Sequence, residues 1–224
     1  EDGRVKTQMV PNDYYWTTTG QCALNVDDLY GLKRISSESA WNVATGTGIV
    51  VGITDTGIDY NHEDLSSHIW QNSLEIPNNL IDDDGNGYVD DWRGWDFVNK
   101  DNNPIDDHRH GTHVAGIIGA IGNNARGVIG LAFQSQLMPI KVLNQYGNGW
   151  WSDIADGTRY ACDNGADVIN ASLSGGYDQT IWDTVRYCYG LGVVYAAAAG
   201  NKSADVIKKD SYPCMIQGAI CVAS

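Results

Sequence analysis

Ile49-Val50-Val51-Gly52-Ile53-Thr54 is an unbroken apolar run that stops at Asp55-Thr56-Gly57-Ile58-Asp59. Such a run reads as a strand buried on both sides. Runs of this kind recur downstream with helical stretches between them. Residues 137–143, 166–172 and 193–198 read as strands. Residues 112–120 (THVAGIIGA) read as a helix of small residues, residues 152–162 as a helix with Ile154, Thr158 and Ala161 on one side, and residues 181–189 as a further helix. Apolar strands alternating with helices indicate an α/β chain whose mainly parallel sheet carries helices on both faces. Ligands of such sheets gather at the carboxyl ends of the strands. Asp55, the Ser172 region and Gly200-Asn201 all fall at such ends.

Composition narrows the classes. The 224 residues are 42% hydrophobic and 19% charged, which suits one globular unit with a sizeable core. Lys and Arg number 14 against 28 Asp and Glu, a formal net charge of −14. A nucleic-acid partner would need the opposite sign. No apolar run approaches the roughly 18 residues of a membrane span. Neither an initiator Met nor a basic-then-apolar leader precedes Glu1, so a signal peptide is expected to be absent or already removed. Val10-Pro11-Asn12-Asp13 is a turn-rich breakpoint, and residues 36–41 suggest a short helix capped by Ser36 or Ser37. The five cysteines form no zinc pattern. Cys214 and Cys221 are close enough to clasp a small loop, and Cys162 and Cys188 end successive predicted helices. Spacing alone does not settle their pairing.

Two short segments carry chemistry. Asp55 follows a buried strand, and Gly57 lets the chain turn away; taken alone, D-T-G could be a plain strand-end turn. An aspartic protease would need a second such carboxylate, and no second D-T-G or D-S-G occurs. His110-Gly111-Thr112-His113-Val114-Ala115-Gly116 places an imidazole at the entrance of a helix whose small residues permit close packing. No HExxH pattern or third ligand accompanies the two histidines. A third segment is acidic. Asp82, Asp84, Asn86, Tyr88 and Asp90 hold alternate positions around Gly85 and Gly87, as in the front of an EF-hand loop. The side chains of Asp82, Asp84, Asn86 and Asp90 and the Tyr88 carbonyl would ligate Ca²⁺. Arg93 stands where the closing Glu belongs, and a merely solvated acidic turn is the alternative.

D-T-G-I-D, H-G-T-H-V-A-G-I-I, V-I-N-A-S-L-S-G-G and A-A-A-A-G-N occur in the order seen in subtilisin-like serine proteases, and the chain resembles that family from about Pro11 to Ser224. The resemblance implies a subtilisin-like three-layer α/β sandwich and a serine endopeptidase. Asp55 would orient the imidazole of His110, the general base and then acid, and Asn201 would donate to the oxyanion. Ser172, Leu173, Ser174 and Gly175 would pair with an extended polypeptide substrate and wall its S1 pocket. The usual pattern there is S-L-G-G, so Ser174 is a departure. Gly147 and Gly149 resemble the opposite edge, with Trp151 near the S4 pocket and Trp150 as the alternative. Asp64 and Asn124, with carbonyls of residues 123–128, match a second structural Ca²⁺ site of bacterial subtilisins.

The family's serine lies in a G-T-S-M-A segment, and no G-T-S occurs in these 224 residues. The expectation is therefore the first two-thirds of a catalytic domain over residues 11–224, inactive alone, with the serine further along the parent chain. Residues 1–10 read either as the end of an inhibitory propeptide or as a terminal arm; the former implies a secreted zymogen. A non-catalytic peptide-binding relative and a calcium-dependent structural module are the rival classes. The joint presence of Asp55, His110 and Asn201 favours the protease.

Overall fold

The computed structural model describes residues 9–18, 29–201 and 211–223. Cys22 and residues 1–8, on which most of the expected propeptide end falls, lie outside the described residues.

Short helices α1 (Tyr14–Thr17), α2 (Tyr30–Arg34) and α3 (Ser37–Trp41) precede the central strand β1 (Val50–Asp55). Then follow β2 (Trp95–Asp96), α4 (His110–Gly119), β3 (Gln136–Lys141), α5 (Trp151–Asp163), β4 (Val168–Ala171), α6 (Gln179–Gly190), β5 (Val194–Ala198) and β6 (Ala219–Val222). The six strands form one sheet in the order β2-β3-β1-β4-β5-β6. Every pairing is parallel. β1 therefore lies between β3 and β4, with Asp55 opposite Lys141 at its carboxyl end.

Side-chain alternation sorts the core into two layers. Val51 and Ile53 of β1 pack with Ala115 of α4, Leu65 and Leu137. Gly52 points the other way, where a Cβ would lie 3.1 Å from Ala161 of α5. On that second face Ile154, Ala161, Ile181 and Val185 of α5 and α6 cover Ile140, Ile169, Tyr195 and Ala197. Helices on both faces of a parallel sheet make the expected three-layer α/β sandwich. A Cys162–Cys188 disulfide ties α5 to α6, and a second joins Cys214 to Cys221. α6 is capped by Asp178, whose carboxylate accepts from the Thr180 and Ile181 N–H groups.

Several expectations shift. The strand expected at 137–143 ends at Lys141, and that expected at 166–172 is confined to Val168–Ala171. Strands β2 and β6 were not legible as such. The helix expected near Ser36 exists, but neither serine caps it: Ser36 sits in the left-handed region at φ 59°, and Ser37 is buried inside the helix.

The sheet face that carries α4 is incompletely covered. Along β5, Tyr195 and Ala197 are buried against α6, whereas Val194 is 43% exposed on the opposite face. Ile220 and Val222 of β6 are in register with Ala196 and Ala198 and are 56% and 55% exposed. Among the described residues nothing covers this apolar strip.

Candidate active site

β1 delivers Asp55 fully buried to the carboxyl end of the sheet, and its Oδ1 accepts from the Thr56 N–H at 2.7 Å. His110 opens α4. The chain enters that helix through Arg109, a non-glycine residue at φ 84°. His110 Nδ1 lies 2.7 Å from Asp55 Oδ1 and 2.9 Å from Oδ2. Because the carboxylate can only accept, Nδ1 carries the proton. In the neutral ring Nε2 is then the acceptor, on a side chain that is 44% exposed.

The approach of α4 to β1 depends on Gly111. A Cβ there would stand 2.1 Å from the Gly57 carbonyl oxygen. Asp106 fixes the loop around this contact. Its Oδ1 accepts from Thr56 Oγ1, the His108 N–H and the Arg109 N–H, and its Oδ2 from the Thr112 N–H and hydroxyl. Thr56 Oγ1 in turn accepts from the Gly111 N–H. Burial opposes ionisation of Asp106, but these donors outweigh it and hold the carboxyl below its ordinary range. Behind Asp55, the buried Lys141 donates to Thr56 O, Leu143 O and Asp107. Burying an ammonium is costly unless each of its protons finds an acceptor, and here three acceptors lie within reach. None of Asp106, Asp107 and Lys141 was singled out from sequence, because their role lies in contacts up to 85 residues apart.

A cleft of about 430 Å³ opens beside this pair. Thr56, His108 and His110 line it together with Ser172, Leu173, Ser174 and Gly175 on one side and Leu143, Tyr146, Gly147, Asn148 and Gly149 on the other. Trp151 lines it as well, whereas Trp150 is 78% exposed. A Cβ on Gly175 would meet the Trp151 ring at 2.6 Å, so the indole lies directly on that residue. Gly175 and Tyr212 exchange both backbone hydrogen bonds, which occupies the pairing groups of Gly175. Asn201 is exposed and lies three residues past the end of β5.

The acidic loop rearranges the expected ligand set. Oxygens of Glu75, Asp82 and Asp84 lie within 4.8 Å of one another. Glu75 is nearly buried. Its Oε1 accepts from the Asp83 and Asp84 N–H groups, and Oε2 has no partner. Asn86 donates its amide to Asp84 and to Asp91, and the Tyr88 ring packs on Trp95, Phe97 and Tyr160. The Asp90 carboxylate accepts from the Asn79 and Leu80 N–H groups, and that of Asp82 from the Gly85, Asn86 and Gly87 N–H groups. Three clustered carboxylates, one of them with an orphaned buried oxygen, fit a hard cation with oxygen ligands. Glu75 lies outside the repeat that marks the loop, so sequence gave no signal for it.

At the second site Asn124 donates its amide to Asp64 at 2.6 Å. The fully buried Asp13 accepts from the Asn123 and Asn124 N–H groups, which ties the segment before α1 to this loop. Its place in a turn-rich breakpoint concealed that contact.

The parallel sandwich, with a buried Asp55 bonded to a partly exposed His110, defines a class: residues 46–224 match the subtilase family, peptidase S8, and the chain belongs to that family. Among relatives it is similar to thermitase of Thermoactinomyces vulgaris, 34% identical over 215 residues that cover 96% of this chain and 65% of thermitase. It is also similar to a thermophilic serine proteinase of Bacillus sp. strain AK1, 37% identical over 174 residues, 77% of this chain and 38% of that protein. A cell wall-associated protease of Bacillus subtilis strain 168 is 37% identical over 164 residues, 73% of this chain and 16% of that protein. The chain thus spans less than two-thirds of the length of each of these relatives.

Proposed function

We propose that the protein is a serine endopeptidase whose 224 residues hold the acid, the base and the substrate edges of the active site. The single observation that carries this reading is the 2.7 Å bond from His110 Nδ1 to the fully buried Asp55. Asp55 fixes the ring and its tautomer and stabilises the imidazolium. His110 Nε2 accepts the proton of the attacking serine and returns it to the leaving amine. Asn201 donates to the oxyanion. Ser172, Leu173 and Ser174 pair with the extended polypeptide on one side, Gly147 and Gly149 on the other, and Trp151 packs against a side chain further along it.

The serine comes from a later segment of the parent chain. The uncovered strip of Val194, Ile220 and Val222 supports this, because an apolar sheet face of that kind needs a covering element. The 224 residues alone therefore do not turn over peptides. Calcium is structural: Glu75, Asp82 and Asp84 hold one ion, with Asn86 and the Tyr88 carbonyl nearby in the loop, and Asp13, Asp64 and Asn124 surround a second. When bound, the ions supply positive charge that offsets the clustered carboxylates. The two disulfides and the cell wall-associated relative support a secreted protein.

Labelling with a serine-directed fluorophosphonate tests the reading. The parent protein should label and cleave denatured protein substrates, and the 224-residue chain should do neither. His110→Ala in the parent should lower turnover by about 10⁶, the loss known for this His in subtilisin. Asn201→Ala should lower it by about 10²–10³. A parent protein that binds peptides in this cleft without labelling would instead be a peptide-binding relative.

A further inference from the structure

Lys141 ends β3 in register with Asp55, and its side chain is 2% exposed. The acceptors of its ammonium group come from three different parts of the site. Thr56 O, at 2.7 Å, belongs to the residue after Asp55. Asp107 Oδ1, also at 2.7 Å, belongs to the loop that leads into His110 and α4. Leu143 O, at 3.1 Å, belongs to the start of the substrate edge, where Leu143 lines the cleft. That edge also rests on Asp55 itself, whose carbonyl accepts from the Val142 and Leu143 N–H groups at 2.9 and 3.1 Å. Gly149 in turn packs on Val142, since a Cβ there would stand 2.3 Å from the Val142 carbonyl oxygen. Asp96, in register with Lys141 on its other side, draws its donors from elsewhere: the Val98 and Asn99 N–H groups and the Asn99 amide.

We infer that Lys141 is a positioning residue for the reaction, its ammonium group holding the acid, the base and the substrate edge in one mutual arrangement. The inference rests on the protease reading above and adds to it a residue that touches neither substrate nor the reacting atoms. An ammonium has three protons and no acceptor, and its protons point to the corners of a tetrahedron. Three acceptors bound to it therefore cannot shift independently of one another. Neutralising Asp107 is not a sufficient role, because that side chain is 42% exposed and water would solvate it. The other two bonds go to neutral carbonyls, one beside Asp55 and one on the cleft wall. An apolar side chain at 141 would leave both carbonyls without this donor. The planar fork of an arginine does not match acceptors grouped around a single point. Without the ammonium, Thr56, Leu143 and the loop before His110 are free to drift apart. A displacement near 1 Å lowers turnover about 10²-fold.

Two substitutions in the parent protein test this, each checked for folding by its urea transition. The readouts are kcat, KM and the low-field Nδ1–H proton resonance of His110. Lys141→Met keeps an unbranched stem and removes the charge. Its kcat should fall about 10²-fold, and its KM should rise because the substrate edge loses its tie as well. Asp107→Ala removes only the tie to the loop before His110, at a side chain exposed enough for the fold to survive. Its kcat should fall and its His110 resonance should shift, while KM stays within about twofold of the unaltered value. A lysine with a merely structural role would lower the urea midpoint and move none of the three readouts. Unaltered kcat and resonance in Asp107→Ala would overturn the inference, even where Lys141→Met fails to fold. Absence of turnover and of fluorophosphonate labelling in the unaltered parent would defeat the protease reading, and the resonance in Asp107→Ala would still decide whether Lys141 holds the imidazole through Asp107.

Discussion

Replacing Gly111 by Ala adds one methyl group at the tightest contact in the site. The new Cβ would stand 2.1 Å from the Gly57 carbonyl oxygen and 3.2 Å from Asp55 Cβ. Neither neighbour is a flexible side-chain end. To restore even the ~3.0 Å of a close contact, the start of α4 must retreat by about 0.9 Å, since packed interiors hold no slack of that size. His110 would move with it. Its 2.7 Å bond to Asp55 would stretch towards about 3.6 Å, beyond the range of a useful N–H···O bond. The 2.9 Å bond from the Gly111 N–H to Thr56 Oγ1 would be strained as well. Overpacking of this kind costs about 1–3 kcal/mol, and a misplacement near 1 Å costs about 10²-fold in turnover. Urea unfolding of the parent protein measures the first quantity, and the low-field Nδ1–H proton resonance of His110 reports the bond. In the parent protein kcat measures the second. Stability within about 0.5 kcal/mol of the unaltered chain, together with an unshifted His110 resonance, would refute the reasoning.

The remaining expectations follow from neighbouring contacts. Asp106 ionises below its ordinary range, so its contribution to stability is fully present above the unfolded carboxylate pKa of about 3.9 and is lost as the pH falls through the folded value. Asp106→Asn should flatten the acid limb of urea midpoints measured from about pH 2 to 6; an unchanged limb would remove that assignment. Glu75→Gln should weaken calcium binding in titration calorimetry and shrink the rise in melting temperature that calcium produces. Asp90→Asn should leave calcium affinity nearly unchanged while lowering stability without metal, and the reverse order would restore Asp90 to the ligand set. Replacing Cys162 and Cys188 together by Ala opens a crosslink between residues 26 apart and should cost about 3 kcal/mol in urea unfolding.

The parts legible in sequence were those written in contiguous residues. The unbroken run before Asp55 declared a strand buried on both faces, and H-G-T-H-V-A-G declared a helix able to lie against backbone. Their meeting at 2.7 Å depends on the close approach of Gly111 to Gly57. What was hidden depended on folding distant residues together. Glu75 joins Asp82 and Asp84 across a loop whose visible repeat begins seven residues later. Asp90 satisfied the repeat, and its bonds from the Asn79 and Leu80 N–H groups tie the loop to the turn before it, a contact that no local pattern shows. Lys141 looked like one polar break in an apolar strand. Its three acceptors come from the loops that follow β1 and β3 and from Asp107, which no local pattern announces. Ser36 met the compositional rule for a helix cap, but its left-handed backbone aims the hydroxyl elsewhere.

The register of β1 has a consequence for biosynthesis. Val50 leaves the ribosome 86 residues before its partner Gln136, and Val51 precedes Val168 by 117. At about 5–20 residues per second, the central strand waits roughly 4–17 s for its first neighbour and 6–23 s for its second. During that interval an apolar segment with both hydrogen-bonding edges free can only pair with another nascent chain or be shielded from one. Recovery of native protein should therefore fall steeply with chain concentration during refolding, because the rate of wrong pairing grows with concentration while closure of β1 onto β3 and β4 does not.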